Sequence, residues 1–173
     1  DGYYAAGDGG GATYLIAASQ VVDGYGDHTL AGGTVALLQS SGAVNAARYG
    51  VDFTDTADSL SSLTATFGES SLLPKGTTKV VGQATPTTGT SISGIEGSKI
   101  RFDSATTASK VDFVVSNSNT SFKDFYVEHD GVASETAQVF QLGASNLRFN
   151  GLEIDTNHTA VFDNAANAFH LLN

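Results

Sequence analysis

Residues 111–155 decide the fold, and they read VDFVVSNSNTSFKDFYVEHDGVASETAQVFQLGASNLRFNGLEID. The second half of this stretch repeats the first at one constant sequence offset, here called the repeat register. The matched positions are Phe113 with Phe140, Val115 with Leu142, Asn119 with Asn146, Phe122 with Phe149, Phe125 with Leu152, and Val127 with Ile154. Each apolar-x-apolar triplet is typical of a short strand, and a fixed period in the twenties built from strands indicates a solenoid.

A parallel β-helix is the arrangement that suits this repeat, because the repeat holds no helix that could form βαβ units. Equivalent strands are expected to stack about 4.8 Å apart, with inward apolar side chains in columns. We expect the register to extend by one strand in each direction. The added matches are Ile100 and Phe102 with Phe125 and Val127, at a slightly shorter offset, and Phe169 and Leu171 with Phe140 and Leu142, at a slightly longer one.

Composition narrows the function classes. The chain has 173 residues, 40% of them hydrophobic, and its net charge of −10 would repel phosphate backbones, so we expect no nucleic-acid partner. No apolar run approaches the ~20 residues that span a bilayer, so membrane insertion is not expected. Cysteine is absent, which excludes disulfides and thiolate metal sites within the chain.

Two regions are predicted, and the fold class is all-β. Residues 1–43 form a Gly-rich β-module with strands at 13–16, 29–30 and 34–38. Residues 44–173 form a capping helix and the first rungs of the β-helix. Thr54 or Asp55 is the expected helix N-cap and Gly68 the stop. The expected buried face of the helix comprises Ala57, Leu60, Leu63, Thr64 and Phe67.

The order of short motifs resembles a known family. The motifs are Val44-Asn45-x-x-Arg48-Tyr49-Gly50, Leu73-Pro74-Lys75-Gly76-Thr77 and Gly94-Ile95-Glu96-Gly97-Ser98-Lys99-Ile100, and they flank the predicted helix as in pectate-lyase-like right-handed β-helices. The front segment is similar to the module that precedes the β-helix in bacteriophage tailspikes and tail fibres. It contains Gly2-Tyr3-Tyr4, Gly7-Asp8-Gly9-Gly10-Gly11, Tyr14 and Asp27-x-Thr29-Leu30-x-Gly32-Gly33-x-Val35-Ala36-Leu37. One departure is that Val51-Asp52-Phe53 replaces the usual Gly-Asp-Gly-rich stretch, so we expect a shortened capping turn.

This resemblance implies a structural role. The chain would be the N-terminal part of a tailspike or tail fibre in the virion tail, a homotrimer in contact with other phage tail or virion proteins. A distal region would recognise a host surface polysaccharide. Because the last apolar strand has no polar cap before Asn173, we expect either a longer protein or an end that a partner covers. Two alternatives stay open: a polysaccharide depolymerase (lyase or glycosidase) with its groove on the β-helix, and a bacterial surface adhesin.

The candidate site is an outward acidic column of Asp103, Glu128 and Asp155, with Arg101, Tyr126 and Glu153 as the neighbouring column. Stacked carboxylates repel, which raises a pKa or recruits a cation, and carboxylate pairs about 5–10 Å apart serve glycoside hydrolysis. The interpretation that we adopt is a solvated acidic face relieved by Arg101 and Lys123. Asp103, Glu128, Asp155 and Tyr126 remain candidates for weak cation or glycan contact. No catalytic residue, metal ligand or cofactor is assigned.

Three further patterns have structural interpretations. The Gly7–Gly11 run lacks the ending of a phosphate-binding loop and is expected to be a turn. The four histidines, at positions 28, 129, 158 and 170, share no metal-binding spacing and are expected on the surface or in turns. Asn119 and Asn146 are expected to form an internal amide ladder between turns.

Overall fold

The computed structural model describes residues 12–18, 20–22, 24–39, 42–103, 111–130, 138–156, 160–164 and 169–172, the last two segments by their backbone alone. Strands make up 48% of the chain and helices 10%, which confirms the all-β class. None of the helices in these ranges has the length and apolar character needed to cross a bilayer.

The strands are short and are numbered here in chain order. They are β1 (Thr13–Ala18), β2 (His28–Thr29), β3 (Thr34–Gln39), β4 (Val44–Asn45), β5 (Ser70–Leu73), β6 (Gly76–Val80), β7 (Ser91–Gly94), β8 (Ser98–Phe102), β9 (Val111–Val115), β10 (Ser121–Lys123), β11 (Tyr126–His129), β12 (Gln138–Leu142), β13 (Leu147–Asn150), β14 (Glu153–Thr156), β15 (Ala160–Asn164) and β16 (Phe169–Leu172). The helix α1 covers Leu60–Ala65, and 3-10 turns cover Ala31–Gly33 and Ala46–Tyr49.

Strands β4 to β16 form three parallel sheets. Sheet I has the order β16-β13-β10-β7-β5-β4, sheet II has β14-β11-β8-β6, and sheet III has β15-β12-β9. Each lap of the chain from β9 onward adds one strand to sheet III, one to sheet I and one to sheet II. Strands that are distant in sequence are therefore neighbours in space, and every lap rests on the one before it.

The repeat register is confirmed in all three sheets. Phe113 pairs with Phe140 in sheet III, Phe122 with Phe149 in sheet I, and Val127 with Ile154 in sheet II. All three pairings are parallel. Side chains one lap apart therefore lie above one another, as the repeat predicts.

The two outer extensions of that register are wrong. Ile100 pairs with Val127, and Phe102 pairs with His129, so the offset stays equal to that of the repeat register and does not shorten. At the other end, Phe169 pairs with Leu147 in sheet I, while Phe140 pairs with Phe162 in sheet III. The offset there is shorter than in the earlier laps, not longer.

Stacked phenylalanines fill the interior between the sheets. Phe113 lies parallel to Phe140 at a ring-centroid distance of 5.0 Å, and Phe122 lies parallel to Phe149 at 5.3 Å. The two columns meet edge to face, with 5.1 Å between Phe113 and Phe122. All four rings are buried. Each such ring stabilises the fold by about 1.5–3 kcal/mol through its removal from water, and the edge-to-face contacts add to this.

The helix covers the start of the coils, but it is shorter than predicted. It begins at Leu60, with Ser59 rather than Thr54 or Asp55 at its N-cap position, and Thr54 instead bridges to Thr77. Leu63 is buried, and Leu60 and Phe67 pack against the core. Ala57 and Thr64, which the periodicity assigns to the buried face, are exposed.

The N-terminal strands form a separate antiparallel sheet in the order β1-β3-β2. Strand β1 pairs with the central strand β3, from Thr13 opposite Gln39 to Ala18 opposite Thr34, and lies at an edge of the sheet. Val35 and Ala36 of the central strand are buried, whereas Leu15 and Ile16 of the edge strand are 53% and 58% exposed. This sheet therefore buries little of its apolar surface within the described residues.

Candidate functional site

The charged surface of the coils lies on the outer side of sheet II, here called face II. Side chains alternate along a strand, so every second residue of β6, β8, β11 and β14 points away from the core. Strand pairing stacks these residues into two columns. The columns are Thr77, Lys99, Tyr126 and Glu153, and Lys79, Arg101, Glu128 and Asp155.

The predicted acidic column is therefore only partly correct. Glu128 and Asp155 are neighbours in one column, but the residue before Glu128 is Arg101 and not Asp103. Tyr126 and Glu153 are neighbours as predicted, and the residue before them is Lys99 rather than Arg101. Both errors follow from the mistaken shortening of the offset described above. The stack of three carboxylates does not exist, and a cation takes the place of one of them.

Ion pairs neutralise the first laps of face II. Lys79 Nζ lies 2.8 Å from Asp103 Oδ2, and Lys99 Nζ lies 2.6 Å from Glu128 Oε2. The guanidinium of Arg101 bridges two carboxylates, with 2.8 Å to Asp55 Oδ1 and 2.8 Å to Asp130 Oδ2. Asp103 and Glu128 are thus occupied by lysines, which leaves neither carboxylate free to approach a substrate without breaking an ion pair.

The protonation states of Asp103 and Tyr126 argue against Asp103 as a general acid and against Tyr126 as a general base or nucleophile. The hydrogen bond from Lys79 outweighs partial burial and holds the pKa of Asp103 below its ordinary value. A carboxyl group that acts as a general acid needs a raised pKa instead. Desolvation, followed by the hydrogen bond to Asp155, raises the pKa of Tyr126, so its phenol stays protonated.

No group of three or more metal-binding side chains converges in the described part of the chain.

A groove of about 490 Å³ runs along the bend between sheets I and II. Ile95, Asp124, Tyr126 and Glu153 are among the residues that line it. The ammonium of Lys99, also in the groove wall, lies 4.7 Å from the centroid of the Tyr126 ring and binds its face as a cation–π partner. Lys99 therefore restrains both candidate residues of β11, Tyr126 and Glu128.

A buried ionisable pair lies between sheets II and III, where the sequence predicted none. His129 Nδ1 is 2.8 Å from Asp112 Oδ1, and the two side chains are 0% and 1% exposed. Burial raises the pKa of Asp112 to about 8. Burial also lowers the pKa of His129, against the attraction of Asp130. The pair is thus held without net charge near neutral pH, and it ties β9 to β11.

Sequence reasoning missed this pair for two reasons. Asp112 alternates with the apolar residues Val111 and Phe113, which predicts an outward position, yet it is buried. His129 was expected on the surface or in a turn, and it is instead the buried last residue of β11, paired with Phe102. Extending the repeat register unchanged from Phe102 would have identified His129 as an inward residue.

The turn at Asp52 is built by a single carboxylate. Asp52 accepts hydrogen bonds from the backbone N–H groups of Thr54, Thr56 and Ala57, at 2.8, 3.1 and 2.7 Å. The hydroxyls of Thr54 and Thr56 donate to it as well, at 2.6 and 2.7 Å. Burial opposes ionisation, but these donors outweigh it and hold the pKa of Asp52 well below its usual range. These hydrogen bonds occupy both oxygens of the Asp52 carboxylate and stabilise the turn before α1.

The asparagine ladder forms, but on the surface rather than inside. Asn146 Nδ2 donates to Asn119 Oδ1 across one lap, and both residues are exposed. Both also adopt positive φ angles, 60° at Asn119 and 55° at Asn146, a conformation that asparagine tolerates better than most residues.

The predicted turn at Gly7–Gly11 and His158 lie outside the described residues.

Comparisons with protein-family models, with curated proteins and with solved structures find no match for this chain.

Proposed function

We propose that this chain is the structural N-terminal part of a bacteriophage tailspike or tail fibre, built as a right-handed parallel β-helix. The observation that carries the proposal is the topology: three parallel sheets, each gaining one strand per lap. Connections between parallel strands of one sheet are right-handed in nearly all proteins, which supports that hand for the coil. The order of sequence motifs supports the phage assignment through its resemblance to tailspikes.

The role that this architecture suits is mechanical. Each lap contacts mainly its neighbours, so stability accumulates along the coil and force passes from lap to lap. A stalk of this kind would join the virion to a distal region that binds a host surface polysaccharide. In the assembly that the resemblance implies, three copies lie side by side in the virion tail and contact other tail proteins.

Ion pairing on face II favours this role over that of a depolymerase. Catalysis would need two or more carboxylates that converge on a substrate. Of the three carboxylates predicted to form the acidic column, Asp103 and Glu128 are held by Lys79 and Lys99 at 2.8 and 2.6 Å, and Asp155 is hydrogen-bonded to Tyr126. Lyase or glycosidase activity of a longer protein would then belong to a different region of it.

Antibody labelling of phage particles tests the proposal. Antibodies raised against this chain are expected to label the tails of the phage that encodes it in electron micrographs, at the end nearer the capsid. Light scattering of the purified chain is expected to give the mass of three copies. Unlabelled particles whose proteins lack this polypeptide by mass spectrometry would contradict the proposal, and release of reducing ends from a capsular polysaccharide would favour the depolymerase.

A further inference from the structure

Two neighbouring faces of the coil carry opposite charge on the same laps. Face I is defined as the outward residues of β5, β7, β10 and β13 in sheet I. They are Ser70, Leu72, Ser91, Ser93, Ser121, Lys123, Arg148 and Asn150. None of the eight is acidic, in a chain that has 18 acidic and 8 basic residues. Four are serines, so the surface is flat and a second backbone can approach it closely.

The opposite charges lie on the laps of β10–β11 and β13–β14, because the earlier strands of face II carry Lys79, Lys99 and Arg101. There, face I presents Lys123 and Arg148, while face II presents Glu128, Glu153 and Asp155 beside Tyr126. Glu128 is already paired with Lys99, and Lys123 lies 3.3 Å from Asp124. Arg148, Glu153 and Asp155 have no ion-pair partner within the described ranges. The unmatched charges are thus one cation on face I and two carboxylates on face II.

We propose that face I of one copy packs against face II of the next, with Arg148 of one copy opposite Glu153 and Asp155 of its neighbour. This inference rests on the side-by-side assembly of the proposed function and names the surfaces that form it. The contact joins two different patches, as cyclic assemblies of three or more copies require. In such an assembly with the coils parallel to its axis, equal laps lie at equal height. Strands β13 and β14 belong to the same lap, so the opposite charges meet.

Charge reversal on one face tests this contact. In sedimentation equilibrium at low salt, Arg148→Glu is expected to weaken self-association about tenfold or more, because it places like charges opposite one another. The double variant Arg148→Glu with Glu153→Arg is expected to recover association close to that of the wild type, since it keeps the net charge and exchanges the partners. Rising salt is expected to weaken association of the wild type.

A control on sheet III separates face I from a general effect of added negative charge. Gln141→Glu adds a negative charge on the exposed side of sheet III, and it is expected to leave association unchanged. Circular dichroism should show the same fold in every variant, since Arg148, Glu153 and Gln141 are all exposed.

Two results would overturn the inference. One is a wild-type chain that stays monomeric at every concentration, and the other is an Arg148→Glu variant that associates as the wild type does. In the second case three copies would meet through other surfaces, and the proposed function would stand. Failure of the virion labelling, with the charge-swap result intact, would instead contradict the phage assignment alone.

Discussion

The coil interior and the N-terminal antiparallel sheet use similar residues in opposite ways. In the coils, Phe113, Phe122, Phe140 and Phe149 are at most 1% exposed, since each is covered by the laps above and below. In the N-terminal sheet, Leu15 and Ile16 lie on the edge strand and are more than half exposed. Burial is therefore provided by stacking, and a strand contributes strongly to stability only where a further lap covers it.

The largest effect that would test this comparison is a charge placed in the coil interior. Phe125 is 3% exposed and its ring lies 6.5 Å from that of Phe122. Phe125→Asp buries an unpaired carboxylate, and we expect a loss of more than about 4 kcal/mol, enough to abolish the cooperative thermal transition. Leu15→Asp is the matched control and should keep the transition. An unchanged melting curve for Phe125→Asp would contradict the inward position of this residue.

A cavity in the phenylalanine stack is expected to have the next largest effect. Phe122 is fully buried and contacts the rings of Phe113, Phe140 and Phe149. Phe122→Ala should lower the free energy of unfolding by about 3–5 kcal/mol in urea melts. Ile16→Ala, at an exposed site, should change it by less than about 0.5 kcal/mol. Equal losses in the two variants would show that the edge strand is covered in solution and would end the contrast.

A pH titration tests the buried pair of Asp112 and His129 in the coil interior. Asp112 has a folded-state pKa of about 8, above its unfolded value, so its contribution to stability is lost as the pH rises toward 8. His129 has a lowered pKa and loses its contribution as the pH falls below its unfolded value of about 6.5. The two trends oppose each other below that pH, and above it only Asp112 acts.

We therefore expect the free energy of unfolding to fall by about 2 kcal/mol between pH 6.5 and pH 8.5. Urea melts at these two pH values measure the change. In Asp112→Asn the group cannot ionise, and the fall should disappear. The same slope in wild type and variant would assign the pH dependence to other groups.

The repeat register could be predicted because both strands of each match carry aromatic or aliphatic residues inward. Only one alignment keeps every strand buried, and it places Phe113 over Phe140 and Phe122 over Phe149. One lap earlier the same reasoning failed. Phe102 lies beside His129, and aligning apolar residues with apolar residues moved the register by one inward position along the strand. The burial of His129 depends on Asp112, 17 residues away in sequence, and no local pattern contains that contact.

The same error in the register affected the prediction of the candidate site. Asp103 was assigned to the acidic column through the shifted register, whereas Lys79 holds it in an ion pair. Which carboxylates are free depends on long side chains that reach diagonally between laps, such as Lys99 to Glu128. The alternation of residues along a strand predicts the face on which a residue lies. It does not predict which residue of a neighbouring strand a long side chain reaches diagonally. The Asp52 turn could not be predicted either, since its five hydrogen bonds depend on the backbone path before α1.

The smallest expected effect lies on the outside of the coils, at Glu128. This side chain is 27% exposed and its partner Lys99 is 33% exposed, so the ion pair is partly screened by water. Glu128→Gln keeps the shape of the side chain and one acceptor oxygen for Lys99. The free energy of unfolding should therefore fall by less than about 1 kcal/mol. Urea melts of the variant and the wild type at pH 7 measure this difference, which should be several times smaller than that of Phe122→Ala.

The same variant bears on function, because it removes the carboxylate that stacks on Asp155. If face II only joins copies or faces solvent, Glu128→Gln should leave any polysaccharide cleavage by the protein unchanged. Loss of cleavage together with a wild-type melting curve would indicate a catalytic role for Glu128. It would also show that the ion pair between Lys99 and Glu128 opens when substrate binds. The exterior of the coils would then not be purely structural at face II.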